Sequence, residues 1–134
     1  MKINSIVKFF TLFLALSTLT LSVGCDKEDD TPNNERFVGV YQVTETCSSG
    51  TFAYQIEIVA DVNDDNAVTI QNFGDFDLDL KATVDGNNIT LDDTIPGDDS
   101  LTGSGTLQSN ILTMSYDAML TGFEDNCTFT GTKQ

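Results

Sequence analysis

A chain of 134 residues, 40% of them apolar and 20% charged, is long enough for one globular domain and no more. Its 21 acidic residues against six basic ones give a formal charge of −15, which argues against nucleic acid and anionic lipid headgroups as partners. Histidine and tryptophan are absent, which removes the commonest metal ligand and any Ser-His-Asp or Cys-His catalytic arrangement; no cofactor and no metal centre are expected.

Residues 1–24 carry two early lysines, Lys2 and Lys8, then an uncharged apolar run of about 13 residues, then Ser22-Val23-Gly24 ahead of Cys25. The run is too short for a membrane-spanning helix, which needs about 20 residues. The layout resembles a bacterial lipoprotein signal, which implies export, cleavage before Cys25 and acylation of that cysteine, so that the membrane is engaged through an N-terminal lipid. Ser22 stands where the usual box has an aliphatic residue, with Leu21 one step further out. That looser box, and the acidic Asp26-Lys27-Glu28-Asp29-Asp30 behind the cysteine, are similar to those of Bacteroidota surface lipoproteins. The resemblance implies a lipid-anchored outer-membrane protein displayed at the cell surface, with a periplasm-facing orientation as the alternative. Loss of residues 1–24 removes Lys2 and Lys8 but no acidic residue, leaving four basic against 21 acidic residues and a formal charge of −17.

Residues 25–36 are polar and without apolar periodicity, and they read as a flexible acidic tether. A single domain is expected over 37–134, where alternation with period two dominates. Phe52, Tyr54, Ile56 and Ile58 alternate with Ala53, Gln55 and Glu57; Phe76, Leu78, Leu80, Ala82 and Val84 alternate with Asp77, Asp79, Lys81 and Thr83. Strands place such sets on opposite faces, apolar inward. Weaker alternation marks 41–46, 67–73, 89–92, 101–107, 111–118 and 127–132, and turn formers such as Gly74-Asp75, Asp85-Gly86, Ser109-Asn110 and Thr121-Gly122 lie between the segments. About eight antiparallel strands joined by hairpins are predicted, with no helix.

With Cys25 acylated, Cys47 and Cys127 remain, 80 residues apart, and an even pair in an oxidising compartment reads as a disulfide. Closing a loop of that size stabilises by roughly 4 kcal/mol. A bond between the first and last strands is what closure of an up-and-down β-barrel requires, although a two-sheet β-sandwich bridged by the same bond stays open. Phe37-Val38-Gly39-Val40-Tyr41 is similar to the Gly-x-aromatic opening of lipocalin-like barrels, and the hairpin succession resembles compact lipocalin-like, calycin-type lipoproteins. That resemblance implies a binding module with a small hydrophobic ligand inside the barrel. An eight-stranded barrel is just wide enough to be filled by its own side chains or to hold one small ligand. The modest set of inward residues favours filling.

Two local patterns add candidate sites. Asp61, Asn63 and Asp65 stand at the alternate positions of a calcium loop, but Asn66 lacks the turn glycine and Asn72 replaces the closing glutamate, so a solvated hairpin tip is the expected reading. Asp93-Thr94-Ile95 and Asp99-Ser100-Leu101 resemble a Bacteroidota O-glycosylation motif, which makes Thr94 and Ser100 candidate acceptors in one predicted loop. Catalysis is not expected: Asp and Glu are the only acid–base candidates, and none stands in an apolar sequence context. The chain therefore reads as an exported, membrane-anchored binding or interaction module. A structural or protective surface lipoprotein without a specific ligand is the alternative, and no protein partner is indicated.

Overall fold

A computed structural model describes residues 31–94 and 99–134, with side chains described outside 92–94. Cys25, with the signal and most of the tether, lies outside the described residues.

Eight strands follow in chain order: β1 (Gly39–Cys47), β2 (Gly50–Ala60), β3 (Ala67–Gln71), β4 (Leu80–Asp85), β5 (Asn88–Thr94), β6 (Ser100–Gln108), β7 (Ile111–Leu120) and β8 (Phe123–Lys133). Each pairs antiparallel with the next, and β8 pairs back onto β1, so the sheet closes as an up-and-down barrel rather than a sandwich. Closure gives every strand a neighbour on both sides. The inward positions follow the sequence alternation: Tyr41 and Val43 on β1, Tyr54, Ile56 and Ile58 on β2, Leu112, Met114 and Tyr116 on β7, and Phe129 on β8 are all buried.

Gly103 and Gly105 occupy inward positions of β6 facing Tyr116 and Met114 of β7. A Cβ at Gly103 would meet the Ser115 carbonyl and Tyr116, and one at Gly105 would meet the Thr113 carbonyl and Met114, closer than packed atoms come. The two glycines are therefore sites of close approach, which leave the Tyr116 and Met114 side chains room to lie across β6.

One expectation is corrected. Residues 67–73 and 76–84 are not continuous strands: β3 ends at Gln71 and β4 begins at Leu80. Between them Asn72, Gly74, Asp75 and Asp77 take left-handed backbone conformations, with a 3-10 turn at Phe73–Asp75. Asn and Asp tolerate that region better than most residues, and glycine is free there. The Asn72 side chain donates to the Gln55 carbonyl and accepts from the Asp77 amide, replacing ladder bonds. Phe73 consequently turns into the barrel while Phe76 stays exposed.

Part of the expected tether also belongs to the fold. Asn33–Arg36 form a 3-10 turn, and Asn34 is buried. Its Nδ2 donates to the carbonyls of Asp61, Asp64 and Ala67 at 3.1, 2.9 and 3.2 Å, while its backbone amide donates to the Asp65 carbonyl. The β2–β3 loop is thus a socket for the incoming chain. Phe37, fully buried just behind it, accepts a 2.8 Å bond from the Tyr41 hydroxyl and packs this end of the barrel shut. Asn34→Ala removes a buried donor shared by three carbonyls, of which Asp64 and Ala67 keep a backbone amide and Asp61 does not, and is expected to cost about 1–3 kcal/mol. Asn34→Asp, which turns a carboxylate onto the same carbonyls, should cost more; chemical denaturation of both variants checks the order.

Candidate functional site

The end of the barrel opposite Asn34 and Phe37 is hollow. A cavity of about 670 Å³ lies there, between the β1–β2, β3–β4 and β7–β8 connections, within the size range of small-molecule sites. Its walls are apolar: Phe73, Leu101, Ala118 and Leu120, with the Cys47–Cys127 disulfide on one side. Phe52, Phe76 and Phe123 stand at its rim, about half exposed or more.

The cavity exists because β3 and β4 are short. They stop midway up the barrel, and the 3-10 turn carrying Phe73 closes that wall with one ring instead of two strands of inward side chains. Phe73 meets Tyr116 edge-to-face at 4.8 Å between centroids and Phe129 at 6.0 Å, a favoured arrangement of aromatic quadrupoles.

Below this wall sits Glu45, only 3% exposed. The hydroxyls of Tyr54 and Tyr116 both donate to its Oε1, at 2.8 and 2.6 Å. Among the described residues no group donates to Oε2, and no fully buried side-chain oxygen lacks a partner. Oε2 is therefore the atom that meets the cavity, which Glu45 lines. Burial first, and the Glu45 carboxylate second, push both tyrosines well above the usual phenol range. They are held as neutral donors that fix the carboxylate. Glu45 is a buried acid that the sequence pattern did not single out. Its signal was its parity, since it shares the inward face of β1 with Tyr41 and Val43.

Other carboxylates at the cavity are engaged. Asp125 accepts from the Ser48, Ser49 and Asn126 amides and from the Ser49 hydroxyl. The Ser49 hydroxyl bond foremost, with the amide bonds, holds its carboxyl below the ordinary 3.8. Asp99 accepts from the Thr121 amide and hydroxyl. Both staple loops of the cavity end.

Of the remaining candidates, Cys47 and Cys127 stand directly opposite on β1 and β8 and form the disulfide, with Cα atoms 4.1 Å apart. A Glu45 oxygen lies within 4.8 Å of both sulfurs, but sulfurs joined in a disulfide are not thiolate ligands. At the β2–β3 loop, Asp61 accepts from the Asn63 amide and pairs with Lys81 at 3.7 Å, while Asn63 and Asp65 are exposed. The loop's carbonyls at 61, 64 and 65 go to Asn34. Thr94 and Ser100 do not lie in a loop. They end β5 and begin β6, paired with each other across the ladder.

No protein family model matches the chain, and no curated protein matches it in sequence.

Proposed function

We propose that this is an exported, lipid-anchored binding module that holds one small apolar molecule in the cavity at the open end of its barrel. The observation that carries the reading is the cavity itself: an apolar hollow of about 670 Å³ with one oxygen of the Glu45 carboxylate facing it from its base. A structural coat protein has no need of such a hollow, since empty apolar space costs stability. The lipocalin-like opening at 37–41 supports the same reading, and so does the lipobox at Cys25, which implies attachment to the outer membrane. Catalysis is not part of the proposal, because the two tyrosines beside Glu45 are held protonated and serve as donors.

Ala118 is buried on β7 and lines the cavity, so Ala118→Phe fills it from within. Solvent extraction of the purified full chain, followed by mass spectrometry, should recover one small apolar molecule per barrel from the wild type and a strongly reduced yield from Ala118→Phe. Equal recovery from both would place any bound molecule outside the cavity and end the proposal.

A further inference from the structure

The chemistry of the ligand's polar end can be read from the cavity's base and from where the charges lie. Four acidic residues line the cavity: Glu45, Asp75, Asp99 and Asp125. Asp99 and Asp125 spend their carboxylates on backbone amides and hydroxyls of the surrounding loops, and Asp75 stands on the solvent-exposed turn at the rim. Glu45 alone combines near-complete burial with an oxygen turned into the hollow and no protein donor to it among the described residues. An acceptor held in this way, with both tyrosine protons directed to the other oxygen, is complementary to a donor and opposed to a second acceptor.

The cations lie elsewhere. Among the described residues the basic side chains are Arg36, Lys81 and Lys133, and none lines the cavity. Lys133 donates to the Arg36 carbonyl and stands over the Tyr41 ring, Arg36 donates to Asn87, and Lys81 pairs with Asp61 of the β2–β3 loop. All three belong to the end that Phe37 closes. Among the described residues the open end therefore presents acidic groups without compensating cations, on a domain already strongly negative, and this repels anions as they approach.

We propose that the cavity selects compact apolar molecules bearing a hydrogen-bond-donating head, protonated amines above all, which Glu45 Oε2 receives, and that it rejects carboxylates and phosphates. This rests on the binding reading above and adds the chemical class of the ligand. A buried hydrogen bond to a charged group corresponds to about tenfold or more in affinity, and an acceptor head facing Oε2 forgoes it.

Three probes with one apolar body isolate the head: 1-adamantylamine, 1-adamantanol and adamantane-1-carboxylate. Titration calorimetry at neutral pH uses the full chain in lipid nanodiscs, with empty nanodiscs as the blank. The amine is expected to bind at least about tenfold more tightly than the carboxylate, with the alcohol between them. Glu45→Gln keeps a carbonyl oxygen for the two tyrosines and presents an NH2 donor to the cavity, so it should invert the order of amine and carboxylate. The wild-type ranking tests the selection even where that variant fails to fold. Equal binding of the three, or a preference for the carboxylate, overturns the selection and leaves the binding reading standing. Failure of all three to bind, or binding unaffected by Ala118→Phe, overturns both.

Discussion

Replacement of both bridged cysteines by alanine, Cys47→Ala with Cys127→Ala, is expected to lower the melting temperature by about 20 °C. The bond joins residues 80 apart, and in the chain-entropy account a crosslink of that span destabilises the unfolded chain by roughly 4 kcal/mol. For a domain of about 100 residues the entropy of unfolding converts that to a shift of about this size. Alanine is the right replacement because Cys127 is buried among apolar groups, where a serine hydroxyl would add a cost of its own.

The loss should not be uniform. The β1–β8 ladder runs from the Tyr41–Lys133 pair to the Cys47–Cys127 pair, so the bond sits at its last rung, beside the cavity. Fraying is therefore expected to start at the cavity end, with faster amide exchange at 47–49 and 125–127, while the amides around Tyr41 and Lys133 remain protected. Calorimetry and hydrogen exchange on the oxidised wild type and the double variant check both parts. A melting temperature lowered by less than about 5 °C would show that the hydrogen-bonded seam closes the barrel unaided.

The fold was largely legible because barrel walls obey a strict period of two. Every buried residue of β1, β2, β4 and β7 lies on one parity, and a hairpin succession that ends in a paired cysteine favours closure, although a bridged sandwich satisfies the same pattern. Reading failed where local backbone chemistry overrode that period. Between Gln71 and Leu80 the apolar alternation continues through Phe76 and Leu78, yet four left-handed residues break the strand, and that break is what makes the cavity. Asn34 was hidden for another reason: a lone polar side chain carries no periodicity, and its value lies in three carbonyls of a distant loop. Glu45 and Asp125 were visible in principle, since each shares the inward parity of its strand. Charge argued for the outside, and only the tyrosines and the loop amides that receive them show why they sit within.

Alkaline titration should unfold the domain abruptly, because all three tyrosines of the chain are buried. Burial pushes Tyr41 up to about 12, and burial together with Glu45 raises Tyr54 and Tyr116. In the unfolded chain each ionises near 10, so below that pH both states carry the same protons and stability is unaffected. Between pH 10 and 12 the unfolded state has released protons that the folded state retains, and stability falls as pH rises. The slope is at most about 1.4 kcal/mol per pH unit for each tyrosine, reduced where solvent reaches the hydroxyl. Three such groups acting together can consume the stability of a small domain within that window. Tyrosinate absorbance and circular dichroism, followed together, should stay native past pH 10 and then change in one coincident step. Tyrosinate signal that grows smoothly from pH 10 while the strands stay intact would mean that solvent reaches these hydroxyls, and that Glu45 is not held at the base of the cavity by two neutral donors.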